Sequence, residues 1–119
     1  MAERILFLDN RPEHMHQPVL RLQLEGYEVD AATSAQEGFG ALRESDYDLL
    51  ILDAELPGAD GWKVLQELRT DPSFGETKVL VLMASKGETG QLALVPVDAE
   101  LRRPFTMEQM MEAVRNVLG

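Results

Sequence analysis

The chain has 119 residues, 45% of them hydrophobic and 27% charged, which is the profile of one globular domain able to bury about two-thirds of its unfolded surface. Eleven Lys and Arg stand against 21 Asp and Glu, a formal charge of −10 that repels phosphate backbones and anionic lipid and so argues against direct nucleic-acid or membrane binding. There is no cysteine, which excludes disulfides, thiolate nucleophiles and thiolate metal sites. The longest apolar runs are four to six residues, too short for a membrane span, and the start "MAERILFLDN" lacks the architecture of a signal peptide. Residues 1–119 are therefore expected to form a single domain with a cytoplasmic address.

In chain order, "ILFL" (5–8) is the first predicted strand. "RPEHMHQPVLRLQLEGY" follows as a helix stopped by Gly26. Pro18 lacks a backbone donor and crowds the preceding turn, so the helix is expected to start late, near Pro18, or to kink there. His14 and His16 in "HMH" have no further histidine or cysteine to complete a metal set and are read as a solvated loop. "YEVDA" (27–31) is a short strand. "TSAQEGFGALRE" opens with Thr33 and Ser34 ahead of Gln36 and Glu37, a doubled capping-box pattern, and puts Ala35, Phe39 and Leu42 on one face. Its "GFG" lacks the third glycine of a dinucleotide fingerprint and lies inside a helical pattern, so it is set aside.

"LLIL" (49–52) and "VLVLM" (79–83) are further strands. Continuous rather than alternating apolarity marks parallel strands covered by helices on both faces. Between them "DGWKVLQELR" groups Val64, Leu65 and Leu68, with Trp62 at the loop–helix junction. "SKGETGQLALVPV" (85–97) is a weak helical segment, "AEL" (99–101) a fifth strand. "FTMEQMMEAVRNVL" closes the chain with Thr106 and Gln109 as a capping box and a stripe of Met107, Met110, Met111, Val114, Val117 and Leu118. That stripe reads as core. Alternating strands and helices predict a doubly wound α/β fold.

Ligands of such folds bind beyond the carboxyl ends of the strands, where the strand order switches. In the flavodoxin-like order 2-1-3-4-5 the switch lies between the first and third strands, whose ends carry Asp9-Asn10 and Asp53. A cluster of two carboxylates and an amide suits Mg²⁺, and a carboxylate beside such an ion can accept a phosphoryl group as an acyl phosphate. The acid ending an apolar strand also fits a Walker B position, but no G-x-x-x-x-G-K-[ST] accompanies it.

Together, "RILFLDN", "YDLLILDAELPGADGW", "KVLVLMAS" and "LRRPF" resemble the receiver domain of bacterial two-component response regulators, nearly end to end and in order. The most specific piece is D-x-x-L-P-x-x-D-G, Asp53 to Gly61. The resemblance implies a (βα)5 domain that is not an enzyme, with Asp53 as phosphoacceptor. Mg²⁺ would be held by Asp9, Asn10, Asp53 and the backbone carbonyl of Glu55, and Arg103 would contact the phosphoryl group. A sensor histidine kinase or phosphotransfer protein would be the donor, and a downstream protein the reader.

The chain also departs from that pattern. Where receivers carry a second acid there is Asn10, which weakens metal binding. Where the fourth strand ends in Thr or Ser there is Met83, which cannot make a hydrogen bond that contributes roughly 1.5–3 kcal/mol to a charged group. The Lys before the cis-proline-like "PF" is Arg103, with a larger planar head. The aromatic switch position is Glu100, and the segment between Met83 and Glu100 is about two residues short. The implied Thr–aromatic switch is degraded. Two functions stay open: a phosphoacceptor, and a phosphorylation-independent interaction module. An aspartate-based phosphatase is a weaker third, since Glu55 has the spacing of its acid/base but the rest of the chain does not follow.

Overall fold

The computed structural model describes residues 2–56, 60–74, 76–83 and 97–119. Five parallel strands, β1 (Arg4–Leu8), β2 (Glu28–Ala32), β3 (Leu49–Asp53), β4 (Lys78–Met83) and β5 (Ala99–Arg102), form one sheet in the order β2-β1-β3-β4-β5. The helices are α1 (Pro12–Leu24), α2 (Ala35–Glu44), α3 (Asp60–Thr70) and α4 (Met107–Leu118), with a short 3-10 turn at Pro72–Phe74. The expected doubly wound, flavodoxin-like architecture is what forms. The weak helical segment placed at 85–97 falls, but for Val97, outside the described residues.

The central strands have no polar face because helices cover both sides. Leu6, Leu8, Leu50, Leu52, Val79 and Val81 pack with Leu42 of α2 and with Val64, Leu65 and Leu68 of α3. The alternate residues Ile5, Phe7, Leu49, Ile51, Leu80 and Leu82 pack with Met15 and Leu22 of α1 and with Met110, Met111 and Val114 of α4. Each such burial stabilises the fold by about 1.5–3 kcal/mol. The edge strands β2 and β5 have one half-protected face each, so their patterns are short and mixed.

The capping box of α4 forms, and α2 is capped by Ser34, but its Glu37 carboxylate reaches back to Thr33 and not to the Ser34 amide, so the doubled box is not what forms. Ser34 Oγ accepts from the Glu37 amide at 3.1 Å, while Glu37 Oε1 accepts from the Thr33 amide and hydroxyl. Thr106 and Gln109 make a reciprocal capping box. Gly26, at φ 102°, ends α1 as expected, and the Tyr27 amide reaches back to the Leu22 carbonyl.

The start of α1 is a correction. The helix begins at Pro12, not near Pro18. Pro12 occupies the first turn, where a missing amide donor costs nothing. Pro18 sits inside the helix and is buried with Met15 and Leu22 on the core-facing stripe. Tertiary burial of that stripe outweighs the roughly 3 kcal/mol that an interior proline costs a helix. His14 and His16 are accordingly exposed residues of α1 rather than of a loop.

Candidate functional site: an acidic pocket held by two arginines

The register that pairs Leu8 with Leu52 places the next residues, Asp9 and Asp53, side by side at the carboxyl ends of β1 and β3. Both are fully buried. Each is fixed by the turn that follows it: Asp9 Oδ1 accepts from the Arg11 amide at 2.9 Å, and Asp53 Oδ1 accepts from the Glu55 amide at 2.8 Å. These short-range bonds are a local consequence of an Asp opening a turn.

Arg103, preceding the cis-proline Pro104 after β5, brings Nη2 to 3.5 Å from Asp53 Oδ2 and 3.9 Å from Asp9 Oδ2. Its Nη1 is 3.4 Å from Glu55 Oε2. The Arg103 amide donates to the carbonyl of Met83 at 2.9 Å, which ties the arginine's backbone to the end of β4. Met83 is buried, and Glu100 is exposed on β5. Trp62, in the first turn of α3, is half-buried.

The pocket holds one residue that the sequence reading passed over. Arg11 Nη2 donates to Asp53 Oδ2 at 2.7 Å and lies 3.6 Å from Glu55 Oε2, while its Nε is 3.5 Å from Asp9 Oδ1. The available signal was a basic residue two positions after Asp9, directly following two expected metal ligands. Asn10, by contrast, is exposed.

The electrostatics follow. Burial pushes the Asp9 carboxyl up, reinforced by its neighbour Asp53. Burial also opposes ionisation of Asp53. Asp9, the Glu55 amide, Arg11 and Arg103 together outweigh it, and Asp53 is held below the usual carboxylate range. Contact with Asp53 likewise raises Arg11, against the opposing effect of burial.

A divalent ion requires open carboxylate oxygens. Asp9 Oδ2 is the buried carboxylate oxygen left without a hydrogen bond among the described residues, and the other three oxygens of Asp9 and Asp53 each accept one from within the chain. Both Asp53 oxygens are taken, Oδ2 by the guanidinium that lies against the same carboxylates. No group of three His, Asp or Glu among the described residues is arranged for a metal. With Arg11 in place, the pocket does not fit Mg²⁺.

The family model described as response regulator receiver domain matches residues 5–115. The chain is 31% identical over 118 residues to the transcriptional regulatory protein PcoR of Escherichia coli, covering 98% of this chain and 51% of that protein. It is 32% identical over 117 residues to the DNA-binding dual master transcriptional regulator RpaA of Synechocystis, covering 97% of this chain and 48% of that protein. The chain thus spans about half the length of these curated relatives. A putative response regulator from Chloroflexus aurantiacus superposes with a TM-score of 0.89 at 27% identity, covering 99% of this chain and 98% of that one. The response regulator TrrA from Thermotoga maritima, solved in complex with Mg²⁺-BeF, gives 0.83 at 28%, covering 98% and 100%. Among the described residues, no helix is long and apolar enough to cross a membrane.

Proposed function

Because the chain belongs to the response-regulator receiver family of two-component systems, we propose that it is a signal-receiving domain whose phosphoacceptor is Asp53. Receiver domains are in general signalling modules rather than enzymes, and they typically use Mg²⁺. The observation that supports the acceptor reading is the position of Asp53: at the carboxyl end of the central strand β3, in the crevice between β1 and β3, with the guanidinium groups of Arg11 and Arg103 both at its Oδ2. An Asp53 oxygen would attack the phosphoryl group of a donor phosphohistidine. The O–P bond forms as the P–N bond breaks, and the electron pair returns to the imidazole. Arg11 and Arg103 would neutralise charge gathering on the phosphoryl oxygens. The donor is a histidine kinase or a phosphotransfer protein, and the reader a downstream protein.

Intact mass after incubation with acetyl phosphate and Mg²⁺, with Asp53→Asn as control, tests this. One added phosphoryl group, absent in the variant, supports the acceptor role. A folded sample that takes none at high donor concentration overturns it.

The bond that caps Asp53 Oδ2 favours a second reading, a phosphorylation-independent interaction module. Met83 and Glu100 point the same way, since neither can serve in a hydroxyl–aromatic switch. In this family the output face commonly uses the fifth strand and last helix, where this chain departs most, so a nonstandard partner mode is part of the proposal. Partner binding that ignores substitutions at Leu101, Arg102 and nearby surface residues would overturn it.

A further inference from the structure

We infer that Arg11 is a tethered cation that takes the place of the metal ion in this pocket, so that the domain neutralises its buried acids from within its own chain. The inference deepens the receiver reading and rests on it.

One side chain reaches all three acids of the pocket. Its Nη2 is 2.7 Å from Asp53 Oδ2 and 3.6 Å from Glu55 Oε2, and its Nε is 3.5 Å from Asp9 Oδ1. Its backbone amide bonds Asp9 as well, so the anchor of the side chain is fixed to the same carboxylate its head group approaches. Three acids, Asp9, Asp53 and Glu55, face two guanidinium groups, Arg11 and Arg103, leaving a formal −1. Without Arg11 the formal balance would be −2, with two of the acids fully buried, a charge that a mobile cation or a proton would have to offset.

Against the receiver pattern, Asn10 removes one negative charge and Arg11 beside it contributes one positive charge. Those two charges equal what one divalent ion supplies. Mg²⁺ gives up its water reluctantly, and a dissolved ion would have to compete with the guanidinium that lies 2.7 Å from Asp53 Oδ2. A cation on the same chain needs no association step, so a dissolved ion competes against a high effective concentration.

The test measures metal binding, not phosphorylation. Thermal stability and calorimetric titration with MgCl₂, against NaCl of equal ionic strength, are compared for the native chain, Arg11→Ala, Arg11→Gln and Arg11→Lys. The native chain and Arg11→Lys should show no specific response to Mg²⁺. Arg11→Ala and Arg11→Gln should melt lower in NaCl, regain stability in MgCl₂, and bind Mg²⁺ at least about tenfold more tightly than the native chain. Adding Asp53→Asn to Arg11→Ala should abolish that gain. A native chain stabilised by Mg²⁺ as much as Arg11→Ala would overturn the inference, as would variants that bind no more tightly than the native chain. If Arg11→Ala does not fold, Arg11→Gln carries the comparison. A chain that takes no phosphoryl group yet gains Mg²⁺ binding on loss of Arg11 loses the acceptor role and keeps the tethered cation.

Discussion

Gly38 of α2 lies so close over Leu8 of β1 that a methyl group on its Cα would meet Leu8 Cδ2 at 3.1 Å. Leu8 is fully buried and cannot withdraw without disturbing its neighbours. Gly40, one half-turn on, has nothing within 4 Å of the same added atom. Gly40→Ala should therefore stabilise the domain by about 0.5–1 kcal/mol through helix propensity. Gly38→Ala should lose about 1 kcal/mol net, because overpacking against Leu8 exceeds the same propensity gain. Urea unfolding of the two variants, with opposite shifts in midpoint, checks this.

Tyr47 supplies a pH signature. Burial, followed by its 2.7 Å hydrogen bond to Asp30, raises its hydroxyl from 10.0 to about 12. A group with a raised folded pKa contributes stability that is fully present below its unfolded value and lost as pH rises through the folded value. The native chain should lose up to about 2–3 kcal/mol from this group between pH 10 and 12. Tyr47→Phe should be weaker by about 1 kcal/mol at neutral pH, where it lacks the hydrogen bond, and flatter across the alkaline window. Chemical denaturation at a series of pH values compares the two slopes.

Asp98 fastens the start of β5 to β4. Its Oδ2 accepts from the Val79 amide at 2.7 Å and from Arg69 at 2.9 Å, and its own amide donates to the Val79 carbonyl at 3.0 Å. Asp98→Ala leaves the part-buried Val79 amide without that acceptor, which should cost about 1–3 kcal/mol. Asp98→Asn keeps an acceptor and should cost less. Amide hydrogen exchange should show the loss concentrated in β5, with β1 and β3 still protected.

Thr106→Ala removes the hydroxyl that accepts from the Gln109 amide at 3.0 Å. The reciprocal bond from the Thr106 amide to Gln109 Oε1 survives, so the loss should be about 1 kcal/mol, near 4 °C in melting temperature. A scanning calorimetry trace on the two proteins suffices.

The strands β1, β3 and β4 were legible because burial on both faces leaves a signal that depends on residue type alone. The caps of α2 and α4 were legible because a hydroxyl and the amide three residues later are fixed by local geometry. The start of α1 was not. The cost of Pro18 is local and visible, whereas the burial of Met15, Pro18 and Leu22 that offsets it comes from a sheet built by distant residues.

The same division holds at the site. Asp9 and Asp53 could be placed in one crevice from the sequence, since parallel strands of a doubly wound sheet must end on the same side. Arg103 could be assigned to that crevice only through the receiver resemblance. That Arg11 closes on Asp53, 42 residues away, was decided by the tertiary structure. A long cationic side chain on a turn has many rotamers and no periodic pattern to fix its endpoint. Only the assembled field of three carboxylates chooses among them.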